Sequence, residues 1–145
     1  MSGFLLDTNV LSEFNRRGEP DPLVKQWLEA AETDSLSTRA SQTFGEIRFG
    51  VELLPPSKRR KRLEQWLDRD LPGWFEGRIL RVDKAITDRW GLLRAQAQMI
   101  GRPLSIVDGL LAATALHHRL TIVSRNVSDF DVVGLTVVNP WEARV

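Results

Sequence analysis

The sequence predicts an α/β fold built around a largely parallel sheet. Apolar runs at residues 3–6, 120–123 and 135–138 lack polar alternation, which is typical of parallel strands buried on both faces. Segments with helical spacing of apolar residues lie between these runs, and strands that alternate with helices indicate a sheet covered by helices.

The N-terminal part predicts one strand and two helices. The strand at residues 3–6 leads into Asp7, after which a brief helix is expected to stop near Gly18. Asp21 and Pro22 begin the second helix, because an Asp side chain caps free backbone N–H groups and proline fits the first helical position.

The central part predicts a short strand at residues 35–38 and two helices. Apolar residues then recur at helical spacing until Pro55 ends the first helix, which carries Glu46 beside its apolar stripe. Ser57 caps a basic helix that is expected to run through Leu67. Trp74 and Phe75 follow in a predicted loop, where an exposed aromatic pair often marks a partner surface.

The C-terminal part predicts a strand at residues 79–82, two long helices and two final strands. Asp83 caps a helix that ends at Gly101. The next helix spans residues 105–118 with Asp108 in its first turn, and its small residues Ala112 and Ala115 permit close packing.

The composition indicates one globular domain covering residues 1–145. Hydrophobic residues make up 42% of the chain and charged residues 27%, which is ordinary for a packed domain. Because 20 basic residues face 19 acidic ones, any affinity for nucleic acid must come from a local patch. The absence of cysteine excludes disulfides, thiolate zinc sites and cysteine nucleophiles.

The expected location is the cytoplasm, and no membrane role is expected. The chain reaches Asp7 too early for the apolar core of a secretory signal. No apolar run approaches the ~20 residues that span a bilayer.

Polar residues follow two of the predicted strands at the point where each strand ends. Asp7 ends the first strand, and Ser124 and Asn126 follow the strand at 120–123, with Asp129 a little further on. Open parallel sheets bind their ligands outside the carboxyl ends of the strands. The alternative for Asp7 is a helix cap, and the alternative for Asp108 is a carboxylate favoured by the helix dipole.

The ordered motifs of the chain together resemble PIN-domain nucleases, specifically the VapC and FitB toxins. The resemblance runs from end to end. The motifs are Asp7-Thr-Asn-Val-Leu-Ser-Glu13, Gly45-Glu-Ile-Arg-Phe-Gly50, Val107-Asp-Gly-Leu-Leu-Ala-Ala-Thr114, Val123-Ser-Arg-Asn126 with Asp129-Phe130, and Asn139-Pro-Trp141.

This resemblance implies a PIN-like three-layer α/β/α sandwich with a central, mostly parallel sheet of about five strands. It implies an acidic site with Asp7, Glu46 and Asp108 as metal ligands. The fourth acidic position is open between Asn126 and Asp129, and Asp129 is preferred as a catalytic residue. The expected substrate contacts are Thr8, Arg48, Ser124 and Asn126.

The chemistry expected at this site is hydrolysis of RNA phosphodiester bonds by a metal-activated water. Carboxylates that lie close together repel one another unless a cation is bound between them. Their hard oxygen atoms suit Mg²⁺ as ligands, with Mn²⁺ as the second choice. The resemblance implies a type II toxin–antitoxin module, in which the toxin pairs as a homodimer and also forms a hetero-oligomer with a small antitoxin similar to VapB or FitA.

Two other functions are weighed against the nuclease. One is a catalytically silent PIN scaffold that binds RNA or protein. The other is an aspartyl-phosphate phosphatase or receiver domain, which Asn9 argues against because such phosphatases carry a second Asp there.

The basic run has two interpretations, and the two histidines are unsuited to catalysis. The run from Lys58 to Arg62 is either a phosphate-binding patch or a solvated helix face. His117 and His118 lie ~15 Å along the helix from Asp108, too far for a general base.

Overall fold

The computed structural model of the chain describes residues 3–15, 19–31 and 36–142. No helix within these ranges is long and apolar enough to cross a bilayer. The strands are β1 (Gly3–Leu6), β2 (Leu36–Arg39), β3 (Ile79–Leu80), β4 (Leu120–Val123) and β5 (Val137–Val138). The α-helices are α1 (Thr8–Ser12), α2 (Pro22–Ala30), α3 (Ala40–Glu52), α4 (Lys58–Gln65), α5 (Leu71–Trp74), α6 (Lys84–Met99) and α7 (Ile106–His118). Short 3₁₀ or π segments occur at Glu13–Asn15, Trp66–Asp70 and Val127–Val133.

The five strands form one sheet in the order β3-β2-β1-β4-β5, and every pair of neighbours is parallel. This confirms the predicted parallel sheet of about five strands. β1 lies at the centre, with β2 and β4 on either side. Because the strand order reverses between β1 and β4, a crevice is expected at their carboxyl ends.

Helices cover both faces of the sheet, as the three-layer prediction requires. Leu5 and Ile122 belong to a buried cluster with α6 and α7. Their neighbours Leu6 and Val123 point to the opposite face and join a second cluster with α1, α2 and α3. Each central strand thus contributes side chains to both cores, which explains why its sequence is apolar throughout.

Three strands differ in length or position from the predictions. β2 ends at Arg39 rather than at residue 38, and the predicted start at residue 35 lies outside the described ranges. β3 ends at Leu80 and β5 begins at Val137, so both edge strands are shorter than expected. Val82 and Leu135 instead pack against the α6–α7 core. Their apolar character therefore reflects burial without strand pairing.

The predicted helix caps at Asp21, Ser57 and Asp83 are confirmed, and Ser105, predicted as the first residue of its helix, is a fourth cap. The side chains of Asp21, Ser57, Asp83 and Ser105 each accept a hydrogen bond from a backbone N–H in the following first turn. The predicted end of the first helix near Gly18 lies outside the described ranges.

The basic helix α4 continues further than predicted. A π segment and α5 extend it to Trp74, so Trp74 ends a helix and does not lie in a loop. Leu67, Leu71 and Phe75 recur every four residues, the ordinary spacing along one helix face, and all three are buried. Phe75 is 3% exposed, so the prediction of an exposed aromatic pair holds for Trp74 and is wrong for Phe75.

Candidate active site at the carboxyl edge of the sheet

Asp7 lies at the carboxyl end of β1, where the strand order reverses, and is only 6% exposed. Its Oδ1 accepts a hydrogen bond of 2.7 Å from the Thr8 N–H, which makes Asp7 the N-cap of α1. Its Oδ2 accepts a second hydrogen bond of 2.8 Å from the Ser124 hydroxyl at the end of β4. The cap is therefore real, but it uses one carboxylate oxygen, and the other is bound to Ser124 at the neighbouring strand end.

Ser124 links the polar groups of the two strand ends. It is fully buried, and its Oγ accepts hydrogen bonds from Asn9 Nδ2 at 3.2 Å and from the Asn126 N–H at 3.0 Å. Asn126 thus contacts this group through its backbone. Asn9 was missed as a site residue, although its place in the Asp-Thr-Asn motif at a strand end could have indicated it.

Glu46 lies on α3 and connects to the same region through Thr8. The Thr8 hydroxyl donates a hydrogen bond of 3.2 Å to Glu46 Oε1. Both residues are half-buried and line a cavity of about 220 Å³ together with residues of α3 and α4. Thr8 therefore lies between the carboxylates of Asp7 and Glu46 in the polar network.

Asp108 and Asp129 meet at another cavity, of about 380 Å³. Asp108 is half-buried in the first turn of α7, where its N–H donates a 3.1 Å hydrogen bond to the Ser105 hydroxyl that caps the helix. Asp129 is exposed and lies on the 3₁₀ segment that follows β4. Ser105, Ser128 and Arg102 also line this cavity.

The four predicted acidic residues thus fall into two pairs, and the members of each pair are connected to each other. Asp7 and Glu46 are joined through Thr8, and Asp108 and Asp129 share a cavity wall. Within residues 3–15, 19–31 and 36–142, no three His, Asp or Glu side chains stand close enough together to form a ready ion cage. A single ion shared by Asp7, Glu46 and Asp108 stays a prediction.

Arg48, a predicted substrate contact, is engaged with carboxylates on the outer face of the molecule. Its guanidinium forms ion pairs with Asp68 and with Glu52, the latter at 3.6 Å. Arg60 from the basic run also pairs with Glu52, at 2.6 Å, and this hydrogen bond holds the pKa of the Glu52 carboxyl below its usual value. These contacts support the solvated-face interpretation for this part of the basic run.

The two histidines lie at the C-terminal end of α7, as expected, and far from Asp108 at its start. Burial lowers the pKa of His118, and the neighbouring His117 lowers it further, while Asp83 at the start of α6 acts in the opposite direction. The histidines are separated from Asp108 by nearly the full length of α7.

Comparison with known proteins identifies the family. A family model described as PIN domain matches residues 4–134. Plasmid stability protein StbB of Pseudomonas syringae is 37% identical over 96% of this chain and 99% of its own length. VapC ribonuclease Y4jK of Sinorhizobium fredii is 36% identical, with 95% and 97% covered. Toxin FitB of Neisseria gonorrhoeae is 35% identical, with 94% and 97% covered.

Solved structures show the same fold. The chain resembles a chain in the crystal structure of FitAcB from Neisseria gonorrhoeae with a TM-score of 0.89 and 34% identity, covering 97% of this chain and 99% of the other. A toxin-antitoxin complex from Klebsiella pneumoniae contains a chain with a TM-score of 0.71 and 28% identity, with 97% and 100% covered. Because the family match spans most of the sequence and the relatives match over nearly their full length, this chain belongs to the PIN-domain family.

Proposed function

We propose that this protein is the toxic component of a type II toxin–antitoxin module and acts as a metal-dependent endoribonuclease. The full-length similarity to a protein named VapC ribonuclease supports the nuclease activity. The similarity to a protein named Toxin FitB supports the role as a toxin. The cytoplasm, where RNA is available, is the proposed location.

The observation that carries this proposal is the buried carboxylate of Asp7 at the β1–β4 crevice. A carboxylate that is 6% exposed is costly to desolvate unless a cation compensates it. Its contacts within the described residues are hydrogen bonds from Thr8 and Ser124, and no basic side chain pairs with it. An Asn side chain would cap α1 about as well, so capping alone does not explain an acid here.

The residues at this edge fit a hard divalent cation. Their donor atoms are carboxylate oxygens, which suit Mg²⁺ and Mn²⁺. Mg²⁺ retains several waters and binds through one or two carboxylates, so a complete protein cage is unnecessary. We propose Asp7, Glu46 and Asp108 as its ligands. When bound, such an ion would supply positive charge beside the phosphate group and lower the pKa of a water molecule.

The protein's own residues are proposed to position the reacting groups. Ser124 holds Asp7 Oδ2 towards the crevice, and Thr8 holds Glu46 Oε1 beside it. Asp129, exposed on the wall of the 380 Å³ cavity, is suited to orient the attacking water and accept its proton. The water oxygen bonds to phosphorus while the bond from phosphorus to the 3′-oxygen breaks, and the released 3′-oxygen takes a proton from solvent water. The products are a 5′-phosphate and a 3′-hydroxyl.

The proposed partners are RNA as substrate and a small antitoxin similar to VapB or FitA. The structural similarity to chains in the FitAcB crystal structure and in a toxin-antitoxin complex supports an inhibitory partner. We also propose a homodimer of the toxin that combines with the antitoxin into a hetero-oligomer.

The variant Asp7→Asn tests the nuclease proposal. Asn keeps an oxygen for the Thr8 cap but removes the negative charge, so we expect cleavage of labelled RNA in Mg²⁺ to fall by roughly a hundredfold or more. Asp21→Asn is the matched control, because Asp21 also caps a helix, through a 2.9 Å bond from the Leu23 N–H. It should cleave like the wild type.

Equal cleavage by Asp7→Asn and the wild type would show that Asp7 is not a metal ligand. A wild-type protein that binds RNA but leaves it intact in Mg²⁺ and in Mn²⁺ would instead support the silent scaffold. Thermal melts of both variants show whether the fold is retained.

A further inference from the structure

Arg125 is stacked on Trp141 beside the candidate active site. The guanidinium carbon lies 4.3 Å from the centre of the Trp141 ring. Arg125 directly follows Ser124 at the carboxyl end of β4. Trp141 lies in the turn that follows β5, the neighbouring strand at the same edge of the sheet.

Both members of this stack are fixed by the two strand ends. The Arg125 N–H donates a hydrogen bond of 3.4 Å to Asn9 Oδ1, so its backbone is tied to the network around Asp7. The Trp141 N–H donates a 2.9 Å bond to Asn139 Oδ1, and the ring packs against the core cluster that contains Val123. The indole is therefore a rigid support that limits where the guanidinium can lie.

Within the part of the chain that the structure describes, no carboxylate lies within ion-pair distance of the Arg125 guanidinium, and the side chain is exposed. Arg48 and Arg60, in contrast, are paired with acidic side chains. Stacking occupies the flat face of a guanidinium and leaves the N–H groups along its edge available. Those edge donors match the oxygens of a phosphate group.

We propose that Arg125, supported by Trp141, binds a backbone phosphate of single-stranded RNA next to the cleaved bond. This inference rests on the proposed nuclease function. An RNA strand that approaches carboxylates is repelled unless nearby cations offset its charge. Arg125 meets that need because its backbone lies one residue from Ser124, which holds Asp7. The stack also reduces the entropy that a flexible arginine would lose on binding.

The test compares Arg125→Gln, Arg125→Lys and a control, Lys84→Gln, in cleavage of a labelled RNA over a range of KCl concentrations. For Arg125→Gln we expect KM to rise about tenfold with kcat little changed, since a contact made equally in the ground and transition states affects binding alone. The slope of log(kcat/KM) against log[KCl] should become shallower by about 0.7, the value for one lost phosphate contact on a single strand.

Arg125→Lys keeps the charge and should retain the wild-type salt slope. Lys84 carries the same charge at the start of α6, where its side chain is 87% exposed and paired with Asp88 at 2.7 Å, so Lys84→Gln should match the wild type in KM and slope. Thermal melts establish that the three variants are folded.

Two outcomes would overturn the inference, and they are distinguishable. If the wild type cleaves RNA while Arg125→Gln shows the same KM and salt slope, the phosphate contact is wrong and the nuclease proposal stands. If the wild type does not cleave RNA in Mg²⁺ or Mn²⁺, the nuclease proposal fails and this inference fails with it.

Discussion

Gly109, next to the candidate ligand Asp108, has no room for a side chain unless its neighbour Trp90 shifts. A Cβ built on Gly109 would lie 2.9 Å from Trp90 Cδ1 and 3.0 Å from Trp90 Nε1. The indole of Trp90 is itself covered by the Arg94 guanidinium, 4.9 Å from the ring centre. The absence of a side chain at position 109 therefore allows α6 to approach α7 at the turn that carries Asp108.

The variant Gly109→Ala is expected to destabilise the protein by up to about 2 kcal/mol. Overpacking generally lowers the stability by about 1–3 kcal/mol, and the better helix propensity of alanine offsets at most about 1 kcal/mol of this loss. Gly91→Ala in α6 is the matched control, because nothing lies within 4 Å of its added Cβ. It should stabilise by about 0.5–1 kcal/mol. Urea denaturation of both variants measures the difference, and equal stabilisation would show that Trp90 moves aside freely.

In α7, one residue both caps the helix and lines the cavity that the candidate ligand Asp108 shares. Ser105 caps α7 by accepting a 3.1 Å hydrogen bond from the N–H of Asp108. Ser105 also lines the 380 Å³ cavity with Asp108. Loss of this cap would loosen the first turn and with it the position of the Asp108 carboxylate.

We therefore expect Ser105→Ala to lose about 1 kcal/mol of stability and also to lower RNA cleavage in Mg²⁺ several-fold. Ser57→Ala is a closely matched control, because Ser57 caps α4 through the same kind of bond, 3.1 Å from the Arg60 N–H. It should lose similar stability and keep full activity. The idea that the cap positions Asp108 would be wrong if the two variants cleaved RNA at the same rate at a temperature where both are folded.

Elements with local sequence signals were predicted well from the sequence. The caps at Asp21, Ser57 and Asp83 are confirmed, because capping depends on a side chain and the backbone within the same turn. The edge strands were predicted too long, since an apolar run does not reveal whether a neighbouring strand pairs with it. Val82 and Leu135 illustrate this, because both pack against a core and neither pairs in the sheet.

The candidate site was likewise predictable where a sequence signal was local, and unpredictable where contacts depend on the fold. Asp7 was indicated by its place at the end of a strand, and the crossover between β1 and β4 agrees with that. The stack of Arg125 on Trp141 could not be predicted, because it depends on the packing of two loops that are separate in the sequence. The ion pairs of Arg48 likewise depend on Asp68, which the fold brings from another segment.

At the scale of the whole molecule, a nearly neutral protein carries its candidate catalytic acids at one edge of the sheet. The chain has 20 basic and 19 acidic residues, so the net charge offers little general attraction for RNA. Affinity must then come from local cations such as Arg125 and from ions bound by the acids. The folded state should consequently gain stability from a divalent cation.

A thermal melt measures this gain. Free Mg²⁺ at about ten times its Kd should stabilise the folded protein by about 1.4 kcal/mol, or about 4 °C for a chain of this length, because the ion binds the folded state alone. EDTA should abolish the shift, and NaCl at matched ionic strength should not reproduce it. Asp108→Asn should show a smaller shift than the wild type, since a candidate ligand has lost its charge. If neither Mg²⁺ nor Mn²⁺ raises the melting temperature of the wild type at millimolar concentration, the acidic edge does not bind these ions in the absence of RNA. Asp108 would then keep a role only in an ion site that the substrate phosphate completes.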